Sequence, residues 1–465
     1  MSSPMAGYVF KVALAALLLF QSWTAAYVKR QKENQWVDIW GTMPQLVEPA
    51  NLPPTPYASC PQMLFRRCAR GFRTWRELTN ATGVVFQNAT IRQTIFVTQS
   101  APKIRLVISN AFGGSDLPIT AATIAVPLNG SAGTSAIKPE SLVPLTFSGG
   151  LPNFTIPNGA RVISDPIDYP VTSQQILTIS LYLSTGQTTN SITGHPGSRT
   201  TSFYAPGNQT GAGDLSADSA TQSSAHWYFI SAVEAYVPTS TSSGALAIVG
   251  DSITDGRGST TDRNDRWPDN LVRRLQAGNA TALQRGLAVV NEAAGGNRVL
   301  NDGLGPNALG RIDRDVLAQS GVRYVLLFEG VNDIGTAAAT AAAQTAIGDR
   351  LLAAYAQVIG LVHAKGLPVF GATITPFSGN SSVQAYSDPT REVTRQRVNE
   401  WIRTSGRFDG VVDFDAAVRD PANETTLNPL YDSGDYLHLN PAGYVVMAQA
   451  VDLSLFEKFK DGVDE

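Results

Sequence analysis

A serine stands at the end of an apolar run in the stretch GALAIVGDSITDG, which begins at Gly244. The apolar residues continue to Val249, and Gly250, Asp251 and Ser252 follow. Because these three residue types form turns easily, the segment could simply end a buried strand. Alternatively, Ser252 is a nucleophile that a rigid strand delivers to a reactive site. The elements around it and the motifs that follow bear on that choice.

Strands and helices alternate in the second half of the chain. The clearest helix is predicted from about residue 337 to 363, with its apolar positions on one face. Five apolar runs typical of buried strands precede or follow such helical stretches, at residues 245–249, 287–290, 324–328, 368–373 and 410–412. This alternation predicts an α/β domain with a parallel five-stranded sheet that is covered on both faces. Sites in such sheets lie at the carboxyl ends of strands, where Ser252 follows the first strand and Asn332 the third.

The first half has the period-two pattern of strands. Alternation is clearest in KIRLVISN and ILTISLYLS, which indicates a sheet with one buried face. Residues 36–237 are therefore predicted to form an all-β sandwich or jelly-roll-like domain, joined by a polar linker at 238–244 to an α/β domain at 245–460.

An atypical segment interrupts the predicted β domain at residues 58–80. It holds both cysteines of the chain, Cys60 and Cys68, together with five arginines. A local disulfide would suit an oxidising compartment. The arginines could form a polyanion site or one face of a short helix, but the composition, which matches neither flank, favours a segment that is foreign to the domain: an insertion or an error in the gene model.

The N-terminus has the features of an export signal. Lys11 precedes nine apolar residues, against the roughly twenty that span a bilayer, and small residues follow up to Ala26. A signal peptide over residues 1–26 is predicted, with an uncleaved anchor as the alternative. Eight Asn-X-Ser/Thr sequons are consistent with a glycosylated eukaryotic secretory protein: Asn80, Asn88, Asn129, Asn153, Asn208, Asn279, Asn380 and Asn423. We therefore expect an extracellular location and no membrane contact after signal cleavage.

Composition disfavours several other classes. Hydrophobic residues make up 43% of the chain and charged residues 16%, and the net charge of −3 does not indicate a nucleic-acid partner. Only four histidines are present, without an HExxH motif or clustered cysteines, so we expect no metal site and no cofactor. His195 and His226 are predicted to be surface or packing residues, although either could border a cleft between the domains. His363 is expected near a helix C-terminus.

Four sequence blocks occur in a characteristic order: VGDSITDG, NEAAGGNR, FEGVNDIG and DYLHLNPAGY. In order and spacing they resemble the GDSL or SGNH hydrolase family over about residues 244–460, and most closely its secreted, two-domain acylhydrolase or arylesterase-like members. A fungal source is expected. The resemblance implies a flavodoxin-like three-layer α/β/α fold and serine-dependent ester hydrolysis.

The same resemblance implies a catalytic triad. Ser252 would be the nucleophile, His438 its base and Asp435 the carboxylate that orients the base. These residue types suit the chemistry, because a serine hydroxyl attacks well only when a neutral imidazole removes its proton. Tyr436 departs from the family pattern, since relatives often carry glycine at this position.

An oxyanion hole is implied at three of the blocks. Gly296 and Ser252 would supply backbone N–H groups, and Asn332 its side-chain amide. Asp251 and Asp333 would support these residues. No Gly-x-Ser-x-Gly motif is present, which argues against an α/β-hydrolase lipase.

The substrate class is left open by the motifs. We expect a water-soluble or polysaccharide-bound ester with a small acyl group, acetyl above others. The alternatives are a general arylesterase, a lipase or lysophospholipase, and a carbohydrate-binding protein whose hydrolase-like domain is inactive. The sequence does not indicate an oligomeric state.

Overall fold

The computed structural model describes residues 34–58, 82–240 and 242–463. The predicted signal peptide, Cys60, Cys68 and the sequon at Asn80 lie outside these ranges.

Residues 34–238 form an all-β domain. Its strands, in chain order, are β1 (Asn34–Gly41), β2 (Gln45–Leu46), β3 (Thr82–Val85), β4 (Ala89–Phe96), β5 (Ala101–Ser109), β6 (Leu117–Ile119), β7 (Ala121–Ala125), β8 (Val143–Leu145), β9 (Phe154–Ile156), β10 (Arg161–Ile163), β11 (Ile167–Val171), β12 (Ile176–Leu183), β13 (Gln187–Thr189), β14 (Thr193–His195), β15 (Ser202–Pro206), β16 (Gln222–Ser224), β17 (Trp227–Tyr228) and β18 (Ile230–Pro238). Short 3₁₀ turns occur at Pro49–Asn51 and Pro139–Ser141.

Two larger antiparallel sheets dominate this β domain. One has the order β1-β18-β5-β10, with β11 also paired to β5, and the other has the order β16-β15-β4-β12-β7-β8. Smaller sheets pair β13 with β3, β6 with β9, and β17-β14-β2. Apolar residues of both large sheets, including Ile104, Leu106, Ile91 and Ile179, belong to one buried core. The predicted β-sandwich is confirmed.

The expectation of one buried face is wrong for the central strands. All eight residues of β4 are buried, as are seven of the eight in β12. The cause is Arg92, which is fully buried on the face opposite the apolar core. Its guanidinium donates to Ser180 Oγ at 3.0 Å and to the carbonyls of Ser135 and Ala212 at 2.7 and 2.9 Å, so two loops cover that face of the sheet.

Residues 244–463 form the α/β domain. Its strands are β19 (Gly244–Gly250), β20 (Leu287–Ala293), β21 (Val322–Phe328), β22 (Val369–Ala372), β23 (Gly410–Val412), β24 (Arg419–Asp420) and β25 (Asn423–Leu427). Its helices are α1 (Ser252–Asp255), α2 (Trp267–Leu275), α3 (Ala282–Arg285), α4 (Ala308–Ile312), α5 (Val331–Thr336), α6 (Ala341–His363), α7 (Pro389–Thr404), α8 (Phe414–Val418), α9 (Pro441–Ala450) and α10 (Ser454–Lys458), with a π-helical turn at Asp313–Leu317.

A parallel five-stranded sheet with the order β20-β19-β21-β22-β23 forms the centre of this domain, as predicted. Helix α6 begins at Ala341 rather than near residue 337, because the Thr340 hydroxyl caps it by accepting the Ala343 N–H at 3.3 Å. By length and mean hydropathy α6 could cross a membrane, but its Leu351, Tyr355 and Val358 side chains are part of the domain core.

The two domains share a packed boundary. Strand β1 lies along β20, and Thr42 forms a parallel bridge with Asn291 at the end of the contact. Ala288 and Val290 of β20 pack into the core of the β domain. The edge of the parallel sheet is therefore covered by the β domain.

Candidate active site

Ser252 is held at a sharp junction between strand β19 and helix α1. The Asp251 side chain caps the helix by accepting the Ile253 N–H at 2.9 Å, and Gly256, with φ of 96°, ends it after one turn. A β-carbon at Gly250 would lie 2.5 Å from the Thr254 hydroxyl oxygen, so the close turn requires glycine there. The strand end thus fixes Ser252, whose exposure is only 6%.

Ser252, His438 and Asp435 form a continuous hydrogen-bonded chain. Ser252 Oγ lies 2.7 Å from His438 Nε2, and His438 Nδ1 lies 2.6 Å from Asp435 Oδ2. The other carboxylate oxygen of Asp435 accepts the backbone N–H of His438 at 2.8 Å. An ionised carboxylate can only accept, so the hydrogen sits on Nδ1 and Nε2 is free to accept from the serine.

The loop that carries this pair is attached to helix α9. Asn440 caps the helix through the Gly443 N–H at 3.1 Å, and Pro441 is its first residue. Tyr436, in the loop, has φ of 60°, a conformation that glycine adopts more easily. The backbone conformation expected of a glycine is therefore present with a tyrosine in its place, and the ring packs closely over Gly379.

The pKa values of His438 and Asp435 both lie below their ordinary values, but for different reasons. Burial lowers the pKa of the His438 imidazole, although the hydrogen bond that the ring donates to Asp435 opposes this effect. Burial would raise the pKa of Asp435, but the hydrogen bonds from the His438 ring and backbone outweigh it and keep the pKa well below its usual value. Near neutral pH the pair therefore consists of a neutral imidazole and a carboxylate, the state that a general base requires.

Asn332 lies at the start of helix α5, next to the second block. Its Nδ2 donates to the Asn297 carbonyl at 2.9 Å, and its Oδ1 accepts from the Tyr386 hydroxyl at 3.1 Å. One hydrogen of the amide is left for a further acceptor. Gly296, adjacent to Asn297, has φ of 72°, and a β-carbon there would lie 2.7 Å from Leu304.

Two buried carboxyl groups brace these loops. Asp333 accepts the N–H groups of Val299 and Leu300 at 2.8 and 3.0 Å, which joins the third block to the second. Burial raises the pKa of Asp333 and also raises that of Asp251, to about 7. Neither group contacts the serine hydroxyl. Each instead accepts backbone N–H groups of the segments that carry the site residues.

Three residues of the site were not identified from sequence: Tyr386, Asp255 and His195. Tyr386 lies in a loop far along the chain from Asn332, and neither its type nor its spacing signals the contact. His195 is buried, and its ring reaches the α/β domain, where Nε2 lies 2.9 Å from Asp255 Oδ1. His195 is therefore a packing residue at the domain boundary, which is one of the two roles predicted for it, and it is not a surface residue.

The other histidines lie apart from the serine. His226 is partly buried and its Nδ1 contacts the Pro196 carbonyl at 2.7 Å. His363 lies at the C-terminal end of helix α6, as predicted, and contacts Asp409 at 2.8 Å. Within residues 34–58, 82–240 and 242–463, no three His, Cys, Asp or Glu side chains are grouped so as to hold a metal ion.

Comparison with protein families gives a match over the α/β domain. The model of the GDSL-like Lipase/Acylhydrolase family matches residues 248–446, a range that includes all four blocks. A comparison with curated proteins gives no match.

Several solved structures resemble less than half of the chain. A catalytic mutant of an acetylxylan esterase from Geobacillus stearothermophilus is 23% identical, with 46% of this chain and 94% of that chain covered and a TM-score of 0.33. A carbohydrate acetylesterase family member from Sinorhizobium meliloti is 15% identical over 44% of this chain and 94% of its own, with a TM-score of 0.34. A GDSL-like lipase from Bacteroides thetaiotaomicron is 16% identical over 48% of this chain and 91% of its own, with a TM-score of 0.35.

Proposed function

We propose that Ser252, His438 and Asp435 cleave esters by a two-step acyl transfer, since residues 248–446 match the model of the GDSL-like Lipase/Acylhydrolase family. The observation that carries this assignment is the unbroken chain of hydrogen bonds from Ser252 Oγ through His438 to Asp435.

In the first step Ser252 Oγ attacks the ester carbonyl carbon while His438 Nε2 takes the hydroxyl proton. Asp435 stabilises the imidazolium that forms and holds its orientation. His438 then gives the proton to the departing alcohol oxygen, which leaves an acyl group on Ser252. In the second step water attacks the acyl carbon, His438 takes the water proton, and the acid is released as the proton returns to Ser252.

The negative charge on the carbonyl oxygen requires fixed donors. We assign this role to the backbone N–H groups of Ser252 and Gly296 and to the remaining hydrogen of the Asn332 amide. Asn332 is suited to it because Tyr386 and Asn297 already fix the orientation of its amide. Each such donor is typically worth about 3 kcal/mol in the transition state.

We further propose that the acyl group is small, with acetyl preferred. Ser252 and His438 are only 6% and 4% exposed, which favours a compact acyl group at the reacting atoms. Charged side chains border the pair, since Arg257 Nε lies 3.9 Å from Asp435 Oδ2 and the Arg257 side chain is 62% exposed. A water-soluble or polysaccharide-bound alcohol suits such a polar entrance better than a lipid does.

Secretion is part of the proposal. All seven sequon asparagines within the described ranges are exposed, so a glycan could be attached at each without disturbing the folded domains: Asn88, Asn129, Asn153, Asn208, Asn279, Asn380 and Asn423. This exposure supports an extracellular glycoprotein, as the N-terminal sequence predicts.

The first prediction tests the nucleophile. We expect Ser252→Ala and His438→Ala each to lower the turnover of p-nitrophenyl acetate by at least about a thousandfold with little loss of folding, because the two residues act as one chemical unit. The double variant should be hardly worse than either single one. Ser240→Ala, at an exposed serine before strand β19, is the control and should retain full activity.

Near-normal turnover by folded Ser252→Ala would refute the assignment. Acyl preference is measured on acetyl, butyryl and long-chain p-nitrophenyl esters and on acetylated xylan at matched ester concentration. Preference for chains of about eight carbons or more would indicate a lipase, and aryl acetate cleavage without acetate release from xylan would indicate a general arylesterase. A wild-type protein that binds xylan but hydrolyses no ester would indicate a non-catalytic carbohydrate-binding protein.

A further inference from the structure

His195 connects the β domain to the loop beside the proposed oxyanion hole. It lies at the end of strand β14 and is 2% exposed. Its Nδ1 faces the Met43 carbonyl at 3.0 Å, and its Nε2 faces Asp255 Oδ1 at 2.9 Å. The other carboxyl oxygen of Asp255 accepts the Gly295 N–H at 3.0 Å. A hydrogen-bonded path therefore runs from the β domain to the residue that precedes Gly296.

The position of this loop needs such support. Two consecutive glycines have more backbone freedom than any other dipeptide, and a misdirected N–H group at Gly296 would stabilise the oxyanion poorly. On the C-terminal side Asn297 is held, because its carbonyl accepts from Asn332 and its Oδ1 accepts from Arg311 Nε at 3.1 Å. On the N-terminal side the side-chain contact comes from Asp255.

Two residues of the β domain, His195 and Gly197, lie against the Asp255 carboxylate. A β-carbon at Gly197 would lie 1.7 Å from Asp255 Oδ2, so the segment after His195 presses directly on the carboxylate and requires glycine there. The Trp227 ring lies over the imidazole with centroids 5.9 Å apart. His195 and Gly197 thus fix the carboxylate from two sides.

We propose that His195 is a positioning residue of the esterase and that, through Asp255, it aligns the Gly296 N–H for the oxyanion. The inference rests on the proposed function of Ser252 and assigns a role to the β domain: it completes the support of the catalytic loop. An imidazole N–H donated to Asp255 leaves the carboxylate free to accept from Gly295, whereas an unpartnered buried carboxylate would shift or draw in water.

The chain offers a matched control. His363 pairs with Asp409 at 2.8 Å, and the same Asp409 oxygen accepts the backbone N–H of Val369 at 2.7 Å. His363 and Asp409 lie at the N-terminal end of strand β22, whereas Ser252 follows the C-terminal end of β19 in the same parallel sheet. The control pair therefore lies at the edge of the sheet opposite the catalytic site.

The second prediction compares His195→Phe, His195→Gln and His363→Phe. Phenylalanine keeps a ring against Trp227 without a donor, while the glutamine amide can replace Nε2–H. For p-nitrophenyl acetate, we expect His195→Phe to lower kcat by ten- to a hundredfold, roughly, with KM within about twofold of wild type. His195→Gln should recover kcat to within about threefold, and His363→Phe should keep wild-type kcat. Thermal melts establish that each variant is folded.

Wild-type kcat in folded His195→Phe, or a rise in KM at unchanged kcat, would overturn the inference. If His195→Phe does not fold, Gly197→Ala displaces Asp255 with His195 intact and should lower kcat in the same way; wild-type kcat in that variant would also overturn it. Failure of the proposed function has a different signature: either wild type hydrolyses no ester, or Ser252→Ala is as active as wild type.

Discussion

His438 experiences two opposing influences on its pKa. Burial favours the neutral imidazole, and the Asp435 carboxylate favours the cation, with burial the stronger. The pKa therefore lies below the ordinary value of 6.5. Since only the neutral ring accepts the serine proton, the side chain remains an active base in mildly acidic solution.

The third prediction follows from this sign. As pH falls, kcat/KM should stay level until the pH is below 6.5 and should then decline with the protonation of His438. Asp435→Asn should lower kcat by at least about a hundredfold, because the amide no longer holds the reactive tautomer, and should move the acid limb to still lower pH. Rates measured from pH 4.5 to 8 test both statements. An acid limb above pH 6.5, or an unchanged rate for Asp435→Asn, would contradict the assigned roles.

In strand β4 one charged residue, Arg92, binds the loops that cover the outer face of the sheet. Arg92 stands on the face away from the apolar core, and loop carbonyls gather around its guanidinium. Burial lowers the pKa of Arg92 to about 10, and the carbonyl acceptors compensate for the water that the group has lost. The carbonyls of Ser135 and Ala212, one in each loop, both accept from this side chain.

The fourth prediction concerns this element. Arg92→Met keeps a long side chain but leaves several buried carbonyls without a donor, so we expect the free energy of unfolding to fall by about 3 kcal/mol. Arg161→Met, at an exposed position of strand β10, is the matched control and should change it by less than about 0.5 kcal/mol. Denaturant titrations measure both values. Equal stability of the two variants would show that the loops do not depend on Arg92.

At the scale of the whole molecule, the boundary between the domains contains buried carboxyl groups. Glu292 on β20 and Asp38 on β1 are each fully buried. Burial raises the pKa of both carboxyl groups well above the ordinary value. The neighbouring Asp315 raises the pKa of Glu292 further, and Glu234 raises that of Asp38 further. The folded protein therefore retains protons that the unfolded chain loses.

The fifth prediction is a pH dependence of stability. Because the pKa of Glu292 is raised in the folded state, its contribution to the free energy of unfolding is fully present below its unfolded pKa of about 4.5. That contribution is lost as pH rises through the folded pKa. Glu292→Gln, which imitates the protonated group, should stabilise the protein by about 1–3 kcal/mol at pH 8 and by less at pH 5. Glu400→Gln, at an exposed position of helix α7, should not alter the pH dependence. Identical pH slopes for wild type and Glu292→Gln would contradict the expectation.

Much of the architecture followed from local patterns. Period-two alternation predicted the β-sandwich, because a strand with one buried face alternates apolar and polar residues. Short apolar runs between helical stretches predicted the parallel five-stranded sheet, because a strand buried on both faces is apolar throughout. Ser252, Gly296, Asn332, Asp435 and His438 were identified because each lies in a short block that resembles a block of the GDSL or SGNH hydrolase family. Hydrogen-bond partners within such a block, as for Asp435 and His438, are set by local loop geometry.

The sequence by itself thus determined the two fold classes and the residues proposed for the chemistry. Only the tertiary structure decided what surrounds them: the buried outer face of β4, the Tyr386 bond to Asn332, and the His195 contact with Asp255 across the domain boundary. The last two contacts join residues that are 54 and 60 positions apart, through single polar side chains. Such pairs follow no period and no motif, because their proximity results from how complete domains pack together.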